Sequence, residues 1–332
     1  MIRKIYFADV NISVCLAAML LTAAVFATTA NAATGAYFGQ TPPGTTPTIF
    51  ASGVLSLTTR MEARLAFSPD GNECFFTVPT DYNFSSVKLY YTKCVSNVWT
   101  TQSVASFSPS GTFCGQPCFS ADGNNLYFGS NHNGTTDIWV STRTTSGWGA
   151  AQVLSSSINS TSNDGNFSQS TDGTIYFDSN RSGGSGLSDI WRITAGSSVA
   201  TNLGTVINTS TYDSDPCVSP DGSYLIFASY RSGLGQGDLY VSFADGNNGW
   251  STPVNLNTYC PGVNTDSYEY GASLSSDGKY LFYTRLSYTS QTCDDYWVAN
   301  PFYVPEPATV IQLGLAAMLL GLFRIRCFRR RV

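Results

Sequence analysis

Four carboxylates stand at one repeating position in this chain, and their spacing is where chemistry could begin. Glu62, Asp164, Asp213 and Glu269 each lie eight residues before an Asp-Gly pair. Cys114 fills the same column in the remaining copy. Carboxylates gathered from separate segments can hold a cation, receive a polar ligand or accept backbone N–H groups. Calcium takes six to eight oxygens, and Asn163, Asp215 and Asp266 are close in sequence as extra donors. No Asp-x-Asp-x-Asp-Gly loop supports calcium separately, so the metal is left open, and no other cofactor is indicated. A structural reading stands beside the functional one. In it each carboxylate caps backbone N–H groups or pairs with an arginine such as Arg181 or Arg231.

The elements that must position this column are legible. Five copies of a short pattern recur: LAFSPDG, PCFSADG, FSQSTDG, PCVSPDG and ASLSSDG. Their Asp-Gly pairs begin at 70, 122, 172, 221 and 277, a period of about 50 residues. Each pair is a tight-turn signal, followed by two apolar-aromatic runs such as TIYFDS and DIWRIT. β-Type repeats of this length arrange radially as blades. The fold class is therefore all-β, a five-bladed β-propeller of four-stranded antiparallel blades.

In the third repeat the pattern predicts strand A over 166–171, strand B over 174–179, strand C over 189–194 and a weaker strand D over 202–207. The fifth repeat stops at its third strand, near Ala299. The segment 49–59 is expected to supply the missing strand and close the ring, which removes an exposed sheet edge. Residues 33–47, with Pro42, Pro43 and Pro47, read as a flexible leader before a propeller at 48–303.

Further columns follow from the same alignment. Four residues before the Asp stand Ala66, Cys118, Ser168, Cys217 and Ser273, all small, as a narrow central channel requires. The two thiols there read as buried side chains rather than reactive groups. Asp137, Asp189, Asp238 and Asp295 begin strand C, where they are expected to fix the preceding loop. His132 takes the place of Arg181 and Arg231, so the column wants a long polar side chain rather than a catalytic imidazole. No Gly-x-Ser-x-Gly elbow is present.

Of nine cysteines, Cys15 and Cys327 lie in the chain ends. Cys74 with Cys94, and Cys260 with Cys293, are the candidate disulfides for an oxidising compartment. One histidine and no CxxC pair argue against zinc.

The ends carry targeting signals. Arg3 and Lys4, an apolar 12–27 stretch and Ala30-Asn31-Ala32 make residues 1–32 a secretory signal peptide. At the other end, Pro305-Glu306-Pro307, an apolar stretch over 310–323 and five arginines follow in order. This layout resembles the PEP-CTERM sorting tail of Gram-negative bacteria. The resemblance implies an exosortase-type sorting protease as partner, with Glu306 as a recognition residue. It also implies a transient inner-membrane anchor through an apolar helix, and export to the cell surface or extracellular matrix. The alternative is a simple tail anchor. Without 1–32 and 305–332, 20 acids face 10 bases, a balance that argues against nucleic acid.

The repeats themselves resemble the TolB-like, WD-related propeller family over residues 48–300. The likeness rests on Ser-Pro-Asp-Gly, on the Ser-x-Arg-Ser-Gly loops at Ser179–Gly183 and Ser229–Gly233, and on the Asp-aromatic starts of strand C. The family implies a propeller with a binding or scaffolding role and no single activity. The expected function is an exported, non-enzymatic propeller. It binds a surface polymer or a protein partner through a carboxylate-lined channel mouth, beside loops rich in tyrosine. An envelope scaffold is the alternative, and a polysaccharide-cleaving glycosidase the less favoured one, since it needs a working carboxylate pair.

Overall fold

A computed structural model describes residues 33–305; the expected signal peptide, and the expected sorting tail and apolar helix from Glu306 onward, lie outside the described residues. Five antiparallel sheets follow one another along the chain, one per repeat. In blade three, strand A is Asp164–Gln169, B is Ile175–Ser179, C is Asp189–Ile193 and D is Thr201–Asn202. Strand D is shorter than the sequence predicts. It runs along the exposed rim, where few apolar contacts repay ordering the chain.

The Asp-Gly turns join strands A and B in every blade. In each, the serine two residues before the Asp donates its hydroxyl to that carboxylate: Ser68, Ser120, Ser170, Ser219 and Ser275, at 2.5 to 2.7 Å. The glycines adopt φ between 70° and 90°, a conformation that favours glycine. The Ser120 hydroxyl and the Asn124 amide hold Asp122 down at about 2.

The ring closes with an N-terminal strand, but this strand covers only Thr48–Ile49 where the sequence predicts 49–59. Thr48–Ile49 pairs antiparallel with strand C of blade five, Thr292–Ala299, with Thr48 opposite Trp297. The segment before it corrects the flexible-leader reading. Phe38 is buried, its ring 4.2 Å from that of Trp99, and the Trp99 indole donates to the Gly35 carbonyl at 2.8 Å. Tyr37 meets Phe67 and Tyr280 edge-on. Aromatic burial thus ties residues 33–39 across the seam between blades five and one.

Both disulfide expectations fail. Among the described residues all seven cysteines are free thiols. In the blade-one ladder Cys74 stands opposite Thr92, and Cys94 opposite Trp99, so the hairpin is centred off the midpoint that would pair them. Cys260 and Cys293 are buried in separate clusters.

Candidate functional site: the two ends of the central channel

Strand A starts at one end of the channel and reaches its Asp-Gly turn at the other. The carboxylate column sits at the start of the strand, but Glu62, Asp164, Asp213 and Glu269 are all fully buried. They do not line an open mouth. Asp213 shows why. It accepts the Thr209 N–H at 2.6 Å, the Thr209 hydroxyl at 2.7 Å, the Ser229 hydroxyl at 2.6 Å and the Arg231 guanidinium at 2.9 Å. Ser160 and Arg181 serve Asp164 in the same way, and Thr265 and Arg285 serve Glu269. Each arginine also donates to a carbonyl of the incoming segment, Ile158, Ile207 or Val263. The column is a latch that fastens strand A to the loop before it.

The arginine has a second contact. Arg181 lies 5.3 Å from the Trp191 ring centroid, Arg231 4.9 Å from Tyr240 and Arg285 4.3 Å from Tyr296. In blade one the cation comes from the other side: Arg60 binds Glu62 at 2.6 Å and lies over Phe76 and Tyr90. Burial pushes the Glu62 carboxyl up to about 7 against the pull of Arg60. Blade two has neither partner, with Cys114 in place of the acid and His132 in place of the arginine.

Asp189 and Asp238 fix their loops as expected. Asp189 accepts the Gly186 N–H at 2.9 Å and the Asn202 side chain at 2.8 Å. Asp238 accepts the Leu234 N–H and Asn255. Blade five corrects the alignment by one residue: Asp294 faces Arg285 in the ladder, while Asp295 faces Thr284 and is fully buried.

A column that sequence reasoning missed lies two residues inside the carboxylates. Arg64, Gln116, Asn166, Asp215 and Gly271 all have φ between 35° and 63°. Each sits at a break in the A–B pairing, a β-bulge repeated in every blade. The side chains converge. The Arg64 guanidinium reaches Asn166 at 2.7 Å, Asp215 at 3.1 Å and the Phe167 carbonyl at 3.3 Å. Asp178 accepts Asn166 at 2.7 Å and the Asp215 N–H at 2.9 Å. Burial, then the Asp215 charge, push Asp178 up to about 7. Asp215 therefore belongs to a polar plug across the channel rather than to a ring at its mouth. The signal was weak, because the five residues share no type, only a polar character in four of them.

Beyond the plug, toward the Asp-Gly turns, lies a cavity of about 240 Å³. The small column lines it as expected, with Ala66, Cys118, Ser168, Cys217 and Ser273 around Arg64. Burial pushes the Cys118 thiol up to about 11 and Cys217 up to about 12, which keeps both protonated.

The opposite end carries the tyrosines. Tyr212 and Tyr230 are 5.3 Å apart, Tyr230 and Tyr268 also 5.3 Å, and Tyr268 stacks on Tyr270 at 4.7 Å. Tyr212, Tyr230 and Tyr288 are exposed, as are Leu187 and Leu234 on neighbouring loops. Asp266 is the one exposed member of the six predicted carboxylates. Among the described residues no three His, Cys, Asp or Glu side chains gather as a metal site.

No curated protein and no described protein family matches the sequence. Solved structures resemble it in fold. One is a protein assigned as TolB from Agrobacterium tumefaciens, 18% identical, with a TM-score of 0.46 over 69% of this chain and 71% of that one. TolB from Acinetobacter baumannii is 16% identical, with a TM-score of 0.46 over 73% and 57%. A Bacteroides ovatus protein assigned as a glycoside hydrolase is 9% identical, with a TM-score of 0.45 over 72% and 86%. At such identities the likeness concerns the fold and not the activity.

Proposed function

We propose that the chain is an exported, non-enzymatic binding propeller that engages a surface polymer or a protein partner through the tyrosine-bearing end of its channel. One observation carries this reading: Tyr212, Tyr230, Tyr288, Leu187 and Leu234 are left exposed together on the loops of one end. Rigid, amphipathic tyrosines give contact area at low entropic cost. The six carboxylates enter in three ways. Glu62, Asp164, Asp213 and Glu269 hold the loops in place, Asp215 braces the channel behind them, and Asp266 is free to meet a hydroxyl or a basic group. The signal peptide and the Pro305-Glu306-Pro307 tail support export and handling by an exosortase-type protease.

The test is binding of the full chain to a panel of bacterial and plant polysaccharides and to envelope proteins, with and without calcium, alongside release of reducing ends. Binding without cleavage, weakened tenfold or more by Tyr230→Ala with Tyr288→Ala, is the expected result. Unchanged binding in that double variant would place the contact elsewhere. New reducing ends would make the protein an enzyme.

A further inference from the structure

Strand C carries one column that lies wholly inside the ring. In the ladders with strand B, Leu89 stands opposite Thr77, Ile138 opposite Gly129, Ile190 opposite Asp178 and Leu239 opposite Ala228. The fifth member, opposite Thr284, is Asp295. All five side chains are fully buried. Four blades fill this place with an aliphatic group. The blade that closes the ring fills it with a carboxyl group.

Asp295 is poorly served as an ion. One oxygen accepts the Thr284 hydroxyl at 2.9 Å, and the other has no partner. The cations nearby are spent elsewhere: Arg60 on Glu62, Arg64 on Asp215 and Arg285 on Glu269. The groups that feel its charge are the acids Glu62 and Asp294 and the thiols Cys74 and Cys293. A buried carboxylate beside two acids and no free cation is far costlier than the same group protonated. Burial, with Glu62 and Asp294 adding to it, accordingly pushes the Asp295 carboxyl well above its usual range. Burial raises Asp294 in the same direction.

The same residue helps to hold the closing strand. Its carbonyl accepts the Phe50 N–H at 2.8 Å, directly after the Thr48–Ile49 pairing. At the three junctions after blades two, three and four, the corresponding residue has a further clamp. Asn159, Asn208 and Asn264 each accept the N–H and donate to the carbonyl of Ile138, Ile190 and Leu239. Asn159 and Asn208 stand five residues after Leu154 and Leu203, whose N–H groups bind those same carbonyls. Five residues after Phe50 stands Leu55, which has no amide to offer. The seam therefore depends on a two-residue strand and on the state of one carboxyl group.

We propose that the blade-five seam is a proton-held closure: Asp295 is neutral while Thr48–Ile49 is paired, and its ionisation loosens that strand from strand C. This device does not rest on the tyrosine-bearing end. Its sign follows from linkage. A group that holds its proton more tightly in the closed ring than in the open one favours closure fully below the ordinary aspartate range, about pH 4. That advantage is lost as pH rises, by about tenfold in the closed-to-open ratio per pH unit for one proton. Acid seals the ring and base loosens it.

Hydrogen exchange of the full chain, read by mass spectrometry on the peptide that carries residues 48–50 and corrected for the intrinsic rate at each pH, tests this from about pH 5 to about pH 8. Protection of that peptide is expected to fall by about tenfold per pH unit. Asp295→Leu, which installs the residue of blades one and four, should flatten the fall by tenfold or more across the range. Asp295→Asn keeps the size and polarity, should flatten it likewise, and carries the test if the leucine variant does not fold. Asp178→Asn, a change at the plug, should leave the seam's pH dependence intact. Protection that stays constant with pH in the parent chain overturns the proposal, as does a fall that persists in both Asp295 variants. A fall abolished by Asp178→Asn assigns the proton to the plug and overturns it too.

Discussion

Blades two and three carry the same strands, the same Asp-Gly turn and the same ring position in strand C, yet they close their junctions differently. Blade three spends Asp164 and Arg181 on fastening strand A, and the guanidinium covers Trp191. Blade two has neither acid nor base, with Cys114 and His132 in their places. Holding one partner alone would leave a buried charge unpaired, which costs several kcal/mol. A repeat can thus dispense with this fastening when both halves are absent.

The largest break in this comparison is expected from Arg231→Ala in blade four. It leaves the fully buried Asp213 without its cation and should cost about 3–5 kcal/mol in urea unfolding. The matching change in blade two, His132→Ala, should cost under about 1 kcal/mol, since no carboxylate is stranded there. Next comes a double-mutant cycle on Cys114→Asp and His132→Arg. The single Asp is expected to destabilise and the pair to recover, with a coupling of about 2 kcal/mol. Additive behaviour would show that blade two cannot accept the latch.

A third prediction contrasts the latches, which have one arginine per carboxylate, with the plug, where Arg64 binds Asp215 while Asp178 is held by Asn166 and the Asp215 N–H. Asp178 is held above its ordinary value by burial and then by Asp215. Its contribution to stability is therefore fully present below about pH 4 and is lost as pH rises toward 7. Asp178→Asn, which keeps an acceptor, should flatten that slope, by about 2 kcal/mol across the window. An unchanged slope from pH 4 to 7 would move the titration elsewhere. The smallest effect is expected at a turn shared by all blades. Gly173→Ala forces a side chain to φ 90°, where it meets only the Ala195 methyl at 3.8 Å, and should cost about 1 kcal/mol.

The repeat and its turns were legible because Ser-x-Asp-Gly satisfies itself within four residues. Nothing distant is needed to decide its conformation. The acid column was legible as a column but not as a latch. Arg181 and Arg231 follow strand B in a recognisable loop, whereas Arg60 reaches Glu62 from two residues away and Arg285 sits within strand B itself. The plug was illegible for a physical reason. Its left-handed backbone is normally the province of glycine, asparagine and aspartate, and here arginine and glutamine adopt it under the constraint of the bulge. The Asp294-Asp295 doublet hid a one-residue register choice that only strand pairing resolves. The leader misled because three prolines outweighed Tyr37 and Phe38, whose value depends on a seam invisible in the sequence.

That seam has a mechanical consequence. Strand C of blade five lies between Tyr280–Ser287 and Thr48–Ile49, and the chain leaves it directly toward Val304. Any tension arriving from the C-terminal side loads this strand along its own axis. Its hydrogen bonds to both neighbours then bear the load side by side, in shear, instead of parting one at a time. The Ala299 N–H held by the Gly44 carbonyl at 2.9 Å and the Phe50 N–H held by the Asp295 carbonyl at 2.8 Å share that load. A propeller closed in this way can be tethered by its tail and pulled without opening at the blade that carries the rope.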